Sequence, residues 1–185
     1  MFNSLSSHLL ERASFTVHEL REIEKACTQH ILKPGEMLLT NGTVCTSHTF
    51  VCQGLLRGYT YEDTGIEKTL FFAPENFWAG DRESLLSGNP SGINIVAETE
   101  CAVLGINHDT YNDLCVTIPA FTEYMISLVQ RNLSSRQGQI MASILTDDEK
   151  IAQFLQKYPS VPARTSAVHI ASMLSVAPEV VKKAL

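Results

Sequence analysis

The chain has 185 residues and a formal net charge of −6, and 44% of its residues are hydrophobic while 18% are charged. This composition is typical of a globular protein with a buried core, and the length allows one large domain or two small ones. Five cysteines without a C-x-x-C pair argue against a disulfide scaffold and a four-cysteine metal site, and no apolar run approaches the length of a membrane span.

Residues 1–15, MFNSLSSHLLERASF, have neither the basic start nor the long apolar run of a signal peptide. We therefore expect a cytoplasmic protein without a membrane segment. Thr16 and Glu19 then form a capping-box pattern, T-x-x-E, in which each side chain bonds to the backbone of the other residue. Apolar residues follow at helical spacing, at Leu20, Ile23 and Ala26. The pattern predicts an amphipathic helix over residues 17–29.

Between Ile31 and about Ile106 the period of the apolar residues changes to two. Short apolar or β-branched segments alternate with turn signals such as Asn41-Gly42 and Gly88-Asn89-Pro90. Many short strands at regular spacing favour an all-β sandwich or barrel over βαβ units. The region contains neither a phosphate-binding G-x-x-x-x-G-K-[ST] loop nor a G-x-G-x-x-G turn, so these two nucleotide-binding motifs are absent from the sequence.

Residues 119–145 return to a helical pattern. Their apolar stripe consists of Phe121, Tyr124, Met125, Leu128, Val129 and Leu133. Such a stripe is common in ordinary cores, but its length and its nearly coiled-coil spacing favour a dimerisation helix. Thr146 and Glu149 form a second capping box, so one helix ends and another begins there. We therefore expect a hinge at Leu145–Thr146.

The last segment, Ser166 to Leu185, predicts two short helices. Apolar residues line one side of the first helix, at Val168, Ile170, Ala171 and Leu174, and Ser175 and Val176 make the break. Pro178 suits the first turn of a new helix, where its missing N–H has no intrahelical partner. Two helices joined by a tight turn are typical of the helix-turn-helix motif, whose second helix enters the DNA major groove. A plain helical hairpin that closes a domain is the alternative.

The order of these elements, together with four segments, resembles the Crp/Fnr family of bacterial transcription regulators. The segments are KPGEMLLTNG (33–42), QGLLRGY (53–59), GIEKTLFF (65–72) and IASMLSVAPEVVKK (170–183). The resemblance implies an α+β fold, with a double-stranded β-helix (jelly roll) sensor domain over 1–118 and a dimerisation helix over 119–145. It further implies a C-terminal winged helix-turn-helix domain over 146–185, apparently truncated because the chain stops at Leu185.

The same resemblance assigns DNA contacts to four residues, Ala177, Glu179, Lys182 and Lys183. Relatives often have Ser or Thr where this chain has Ala177, and alanine supplies no side-chain oxygen for a phosphate. Glu179 matches a glutamate that reads bases. Lys183 matches an arginine, and lysine lacks the bidentate contact with guanine. Lys182 takes a place that a small residue usually holds.

Cyclic-nucleotide sensors of the family carry a Gly-Glu pair and, further along the chain, an arginine that clamps the cyclic phosphate. The matching effector-pocket residues here are Gly80, Asp81, Ser91 and Gly92. Ser91 stands in place of the arginine and cannot give the bidentate, charge-assisted contact of a guanidinium. We therefore expect an atypical pocket that does not bind cyclic AMP or GMP. The alternative for Asp81 and Ser91 is a solvated pair in a loop.

The first hypothesis is a homodimeric transcription regulator, not an enzyme, whose twofold interface includes Phe121, Met125 and Leu128. Its implied partners are DNA, a second copy, RNA polymerase and an unidentified small-molecule effector, with no cofactor, metal or membrane. The alternative is a β-roll module that binds a small ligand or a protein and has a degenerate tail without DNA affinity. A cupin-like enzyme would need histidines and glutamates clustered on neighbouring strands, and His48 shows no such partner in the sequence.

Overall fold

The computed structural model describes residues 1–141 and 144–185, with the side chains of residues 132 and 134–141 outside the described part. In this part the helices are α1 (Phe2–Leu10), α2 (Val17–Ala26), α3 (Arg82–Ser87), α4 (His108–Thr117), α5 (Pro119–Met141), α6 (Asp147–Lys157), α7 (Ala167–Leu174) and α8 (Pro178–Ala184). The strands are β1 (Thr28–Leu32), β2 (Met37–Leu39), β3 (Ser47–Gln53), β4 (Leu56–Tyr61), β5 (Glu67–Ala73), β6 (Trp78–Ala79), β7 (Asn94–Ala97) and β8 (Cys101–Asn107). None of these helices is both long and apolar enough to cross a lipid bilayer.

The strands form two four-stranded antiparallel sheets, β1-β8-β3-β6 and β2-β7-β4-β5. Because side chains alternate between the two faces of a strand, each sheet turns one apolar row toward the other. Val51 and Val103 face Leu56 and Ile95 in this inner core. The antiparallel β structure predicted for residues 31–106 is therefore confirmed, and it forms a β-roll.

Helices α1, α2, α4 and α5 cover the outer face of the β1-β8-β3-β6 sheet. The sheet contributes Phe50, Leu104 and Ile106 to this second core, and the helices contribute Leu5, Leu9, Ile23, Phe121 and Tyr124, all with no exposed area. The N-terminal helices are therefore fixed to the roll by buried apolar side chains.

Helix α2 begins as predicted and ends earlier. Thr16 and Glu19 form the complete capping box, with the Thr16 N–H donating to the Glu19 carboxylate at 2.7 Å. The prediction extended the helix to residue 29, but it ends at Ala26 because Cys27 is extended and Thr28 pairs with Gly105 of β8. Pairing with a strand distant in sequence thus outweighs the local helical pattern.

The C-terminal helices share a third core with the roll. Leu55 and Phe72 of the roll form this core with residues of the three helices and of the loop after α6. The helices contribute Ile151, Phe154, Ile170, Ala171 and Val181, and the loop contributes Tyr158 and Val161. Phe72 meets Phe154 edge to face, with the ring centroids 5.9 Å apart. The second capping box, Thr146 with Glu149, is present at the start of α6 as predicted. The tail is therefore docked on the roll of its own chain.

A buried polar chain ties α1 to the long helix α5. The Trp78 indole N–H donates to the Tyr124 hydroxyl at 2.8 Å, and that hydroxyl lies 2.7 Å from His8 Nδ1. Since the tyrosine oxygen accepts from tryptophan, its own proton is directed to an unprotonated His8. Burial and the positive charge of Arg12 lower the pKa of His8 to about 4.

We expect this histidine to make the fold sensitive to mild acid. A histidine whose pKa is lower in the folded state than in the unfolded state stabilises the fold fully above about pH 6.5, and the stabilisation falls by about 1.4 kcal/mol per pH unit below it. Urea unfolding at pH 7 and pH 5 should show this loss, and His8→Asn should reduce the slope. His18→Asn is the control, because His18 is exposed. Equal slopes in all three proteins would contradict the prediction.

Candidate functional site

The tail forms two short helices joined by a tight turn, as predicted for residues 166–185. The Ser166 hydroxyl caps α7 by accepting the His169 N–H at 3.2 Å, and α7 ends at Ser175 in a left-handed conformation with φ of 56°. The Val176 N–H donates back to the Ala171 carbonyl at 3.1 Å, which closes the helix end. Pro178 occupies the first turn of α8, as its missing N–H predicts.

The outer face of α8 carries the residues assigned to DNA. Ala177, Glu179, Lys182 and Lys183 are all exposed, while Val181 has no exposed area. Lys182 Nζ lies 3.9 Å from Glu179 Oε1, a loose contact that leaves the amine open to an approaching phosphate.

Two apolar residues of the tail do not face the core as predicted. Ala184 is exposed because it lies one helical turn beyond Val181, at the end of α8. Val168 is 52% exposed because it lies in the first turn of α7, on the side away from Ile170 and the roll. The apolar faces of both helices are therefore narrower than the sequence pattern indicates.

A polar cluster that the sequence reasoning missed joins the tail to the roll. Arg57 on β4 is 5% exposed, and its Nε donates to Glu98 Oε1 at 2.6 Å while Nη1 lies 3.1 Å from Glu67 Oε2. The other Glu98 oxygen accepts from the Thr165 hydroxyl at 2.5 Å and lies 3.2 Å from His169 Nδ1. Burial raises the pKa of Glu98, but the hydrogen bonds from Thr165 and Arg57 outweigh it and hold the pKa below its usual value.

Residues of β5 also form hydrogen bonds with the end of α7 and with the turn between α7 and α8. Lys68 Nζ donates to the Ser172 carbonyl and, at 2.6 Å, to the Ser175 hydroxyl. The Ser172 hydroxyl in turn donates to the Glu67 carbonyl at 3.1 Å and accepts the Thr69 N–H at 3.0 Å. A lysine at the C-terminus of α7 complements the helix dipole and offsets the strain of a left-handed serine. The roll thus fixes the position of the turn that carries α8.

The residues matched to the phosphate cassette bond to each other. Asp81 caps α3 by accepting the backbone N–H groups of Glu83 and Ser84, at 3.0 and 3.3 Å. Ser91 is 3% exposed, and its hydroxyl donates to Asp81 Oδ2 at 2.8 Å. The alternative of a solvated loop pair is therefore wrong for Ser91, because the carboxylate and the hydroxyl satisfy one another. Gly92 lies beside the pair and accepts the Thr60 hydroxyl at 3.0 Å.

Gly80 does not join that pair but lines a cavity inside the roll. The cavity has a volume of about 400 Å³ and lies between β1, β2, β3 and β8. Asp81, Ser91 and Gly92 lie outside its lining. Of the four predicted pocket residues, the structure therefore brings Asp81 and Ser91 into contact, whereas Gly80 lies in the lining of the cavity.

The predicted dimer residues lie in different environments. Phe121 has no exposed area and packs against Tyr111 and Tyr124, with ring centroids 5.7 and 6.1 Å away. The prediction for Phe121 is corrected, because its side chain fills the core of its own chain. Met125 and Leu128 are half-buried, so each retains exposed area on the helix surface.

His48 has a partner that the sequence reasoning missed. Its Nε2 lies 3.3 Å from His108 Nδ1, and its ring stacks on Tyr111 with centroids 3.7 Å apart. Burial, His108 and Arg82 lower the pKa of His48 to about 4. Among the residues whose structure is described, no three histidine, cysteine or acidic side chains converge to hold a metal ion. The pair therefore joins β3 to α4.

Comparison with known proteins relates this architecture to a family. Residues 29–117 match the model of the cyclic nucleotide-binding domain. The fold is similar to that of FixK2 from Bradyrhizobium japonicum, with a TM-score of 0.73 at 16% identity over 85% of this chain and 82% of that one. A Crp/Fnr-family transcriptional regulator from Eubacterium rectale gives a TM-score of 0.67 at 20% identity, over 91% and 81%.

The Xanthomonas campestris regulator CLP, described as responsive to c-di-GMP, gives a TM-score of 0.68 at 13% identity, over 91% of this chain and 89% of that one. None of the curated proteins matches the chain in sequence. At these identities the structural similarity shows a shared fold over most of the chain.

Proposed function

Residues 29–117 belong to the cyclic nucleotide-binding domain family, within the fold of the Crp/Fnr transcription regulators, and on this premise we propose that the chain is a dimeric, DNA-binding transcription regulator. The observation that carries the proposal is α8, whose outer face presents Glu179, Lys182 and Lys183 to solvent while Val181 anchors its inner face. A helix held in this way is able to enter a major groove without unfolding from its domain.

The proposed mechanism is a change between two arrangements of the tail. An effector or a partner bound to the roll shifts the long helices α5, and the hinge at Leu145–Thr146 re-aims α8. The hinge borders residues 142–143, which lie outside the described part of the chain. Lys68 and Glu98 support this coupling, because both are roll residues that contact the tail. Contact with RNA polymerase belongs to the same proposal.

The test is a selection from genomic DNA followed by mobility-shift titration of the full-length gene product at a stated salt concentration, since DNA affinity depends steeply on salt. The regulator should bind selected fragments at least about 1,000-fold more tightly than random DNA, the lower end of the range typical of specific binders. Binding no tighter than to random DNA at any salt would instead favour a β-roll module with a degenerate tail. The net charge of −6 and the missing oxygen at Ala177 are the features that agree with that second function.

We expect cyclic AMP to bind weakly or not at all. A cyclic phosphate placed at the cassette would meet the Asp81 carboxylate without an arginine to neutralise it, since Ser91 occupies the arginine position and already bonds to Asp81. Isothermal titration calorimetry should give no saturable heat with cyclic AMP or cyclic GMP. Ser91→Arg tests the reasoning, because it adds the missing cation. Tight, saturable binding to the unmodified protein would contradict the prediction.

The dimer is expected to form through the exposed apolar side of α5. Met125 and Leu128 are half-buried, and Ile126 and Leu133 are 52% and 59% exposed. An apolar helix face of this size is unfavourable in water, and contact with the same face of a second copy would bury it. Sedimentation should show a dimer at micromolar concentration, and Leu128→Glu should shift it to monomer. Val116→Glu is the control, because Val116 is exposed on α4. A monomeric unmodified protein would contradict the prediction.

A further inference from the structure

The turn between α7 and α8 contains a strained residue. Ser175 ends α7 in the left-handed conformation, with φ of 56° and ψ of 48°. Among the described residues, Asn76 is the only other non-glycine residue with a positive φ. Helix α3 also ends in the left-handed region, but at Gly88, where the missing Cβ removes the steric cost. A serine in this conformation therefore requires contacts that hold it there.

Lys68 of β5 supplies such contacts. Its ammonium donates to the Ser175 hydroxyl at 2.6 Å and to the Ser172 carbonyl in the last turn of α7. Within the described part of the chain, the ammonium forms no ion pair with a carboxylate, so its hydrogen bonds there all go to the tail. Both acceptors lie at the C-terminal end of α7, where the helix dipole favours a cation. One ammonium thus joins the end of α7 to the first residue of the turn.

The position of Lys68 is itself fixed by α7. Strand β5 lies at the edge of its sheet, and the Ser172 hydroxyl bonds to this edge on both sides of Lys68. The hydroxyl donates to the Glu67 carbonyl at 3.1 Å and accepts the Thr69 N–H at 3.0 Å. Because both of these strand groups belong to the backbone, the bonds do not depend on the rotamers of β5. Lys68 therefore reaches the turn from a defined position.

The turn determines the direction of α8. This helix begins at Pro178, three residues after Ser175, and among its seven residues only Val181 is buried. One buried side chain allows the helix to tilt, so the backbone angles of Ser175 largely define how the chain leaves α7. Base edges are read by short, directed hydrogen bonds, whereas attraction to phosphates carries no sequence information. A displaced α8 would therefore lose specificity before it loses general affinity for DNA.

We propose that Lys68 is a positioning residue for the recognition helix, because it holds Ser175 in the left-handed conformation and so sets the direction of α8 for base readout. Lys68 acts through the turn and does not itself contact DNA. The role in readout rests on the proposed DNA-binding function, whereas the effect on the turn does not. Separate measurements test the two, so their failures are distinguishable.

Amide hydrogen exchange tests the turn without DNA. Lys68→Met keeps the length of the side chain and removes the ammonium. The Val176 N–H closes the turn by donating to the Ala171 carbonyl, and its exchange should rise about tenfold in this variant, as expected for the loss of hydrogen bonds from a charged donor. Exchange in β3 should not change. Lys68→Arg should restore slow exchange, because a guanidinium also donates several hydrogen bonds.

Lys33→Met is the control for this measurement, because Lys33 is an exposed lysine of the roll in the turn after β1. Unchanged exchange of Val176 in Lys68→Met would overturn the proposed effect on the turn. So would an equal rise in Lys33→Met, or an equal rise in β3.

Mobility-shift titration of the full-length gene product tests the role in readout, on selected and on random DNA at several salt concentrations. Lys68→Met should lower the ratio of the two affinities about tenfold and leave the salt slope unchanged, and Lys68→Arg should restore the ratio. A slope reduced by about 0.9 with an unchanged ratio would make Lys68 a phosphate contact and overturn the positioning role. An unmodified protein that does not distinguish selected from random DNA would overturn the proposed function, and the exchange result would still decide the effect on the turn.

Changes at Ser175 test the same contact from the other side. Ser175→Ala still requires a positive φ but cannot accept from Lys68, so it should reproduce the effects of Lys68→Met and replaces that variant if it fails to fold. Ser175 is exposed, so the change leaves the core intact. Ser175→Gly adopts the left-handed conformation without help, and in this background Lys68→Met should change the affinity ratio by less than about twofold. A full tenfold loss in that background would show that Lys68 does not act through Ser175 and would overturn the proposal.

Discussion

Replacing Lys182 by alanine will weaken DNA binding about equally on all sequences, whereas replacing Lys183 will relax the preference at one base position. Both lysines are exposed on the outer face of α8, so neither change removes a buried contact. Lys182 lies one helical turn after Glu179 and is expected to neutralise a DNA phosphate. Its loss should therefore flatten the slope of log affinity against log salt concentration by about 0.9. Lys183 is expected to reach a base edge, where a lost contact costs about 1–3 kcal/mol of discrimination.

The measurement is mobility-shift titration of the full-length gene product at four salt concentrations, on the selected site and on single-base variants of it. Lys25→Ala is the matched control, because Lys25 is also an exposed helical lysine paired with a nearby glutamate, but it lies on α2. The control changes the net charge by the same amount. An equal loss in Lys25→Ala would show that net charge alone is responsible and would remove α8 from the DNA interface.

The elements that were predicted correctly depend on residues close together in sequence. The capping boxes at Thr16 and Thr146 each bond within three residues. The tail turn at Ser175 follows from a short apolar pattern and Pro178. The strands follow from alternation and turn residues. Local patterns of this kind fix the backbone before distant parts of the chain come together.

Helices α1, α3 and α4 were not predicted, because their sequence patterns are weak or were interpreted as features other than helices. The apolar residues of α1, Leu5 and Leu9, do have helical spacing, but this segment was assessed only as a signal peptide. Asp81 caps α3, although the sequence comparison treated it only as a ligand-binding position. A residue that serves as a helix cap is thus easily mistaken for part of a site.

The contacts between the roll and the tail could not be predicted from the sequence. Arg57 and Glu98 are 41 residues apart, and Glu98 and His169 are 71 apart. Neither spacing produces a periodic pattern. The same limit explains Phe121, since an apolar stripe shows that a helix face is buried but not whether its own chain or a second copy covers it. Only the three-dimensional arrangement distinguishes these cases.

The buried ion cluster between roll and tail should give the second large effect. Glu98→Ala leaves the Arg57 guanidinium, 5% exposed, with a longer ion pair to Glu67 at 3.1 Å and a weak hydrogen bond to the Thr69 hydroxyl at 3.5 Å. Removing one partner of a buried pair typically costs about 3–5 kcal/mol, because the remaining charge is desolvated without full compensation. The same change removes the acceptor of Thr165 and His169. We therefore expect α7 to detach from the roll before the roll itself unfolds.

Hydrogen exchange measured by mass spectrometry resolves these two events, since it reports opening of α7 separately from opening of the roll strands. Exchange in α7 should rise more than 100-fold in Glu98→Ala, the change that corresponds to about 3 kcal/mol. The double variant Arg57→Met with Glu98→Met should recover most of the loss, because well-fitting apolar residues often replace a buried ion pair without cost. Glu22→Ala is the control, because its pair with Lys25 is exposed and such pairs contribute little. Unchanged exchange in Glu98→Ala, or equal increases in α7 and in β3, would show that the cluster does not hold the tail. The proposed coupling from roll to recognition helix would then require a different route, through α5 and the hinge alone.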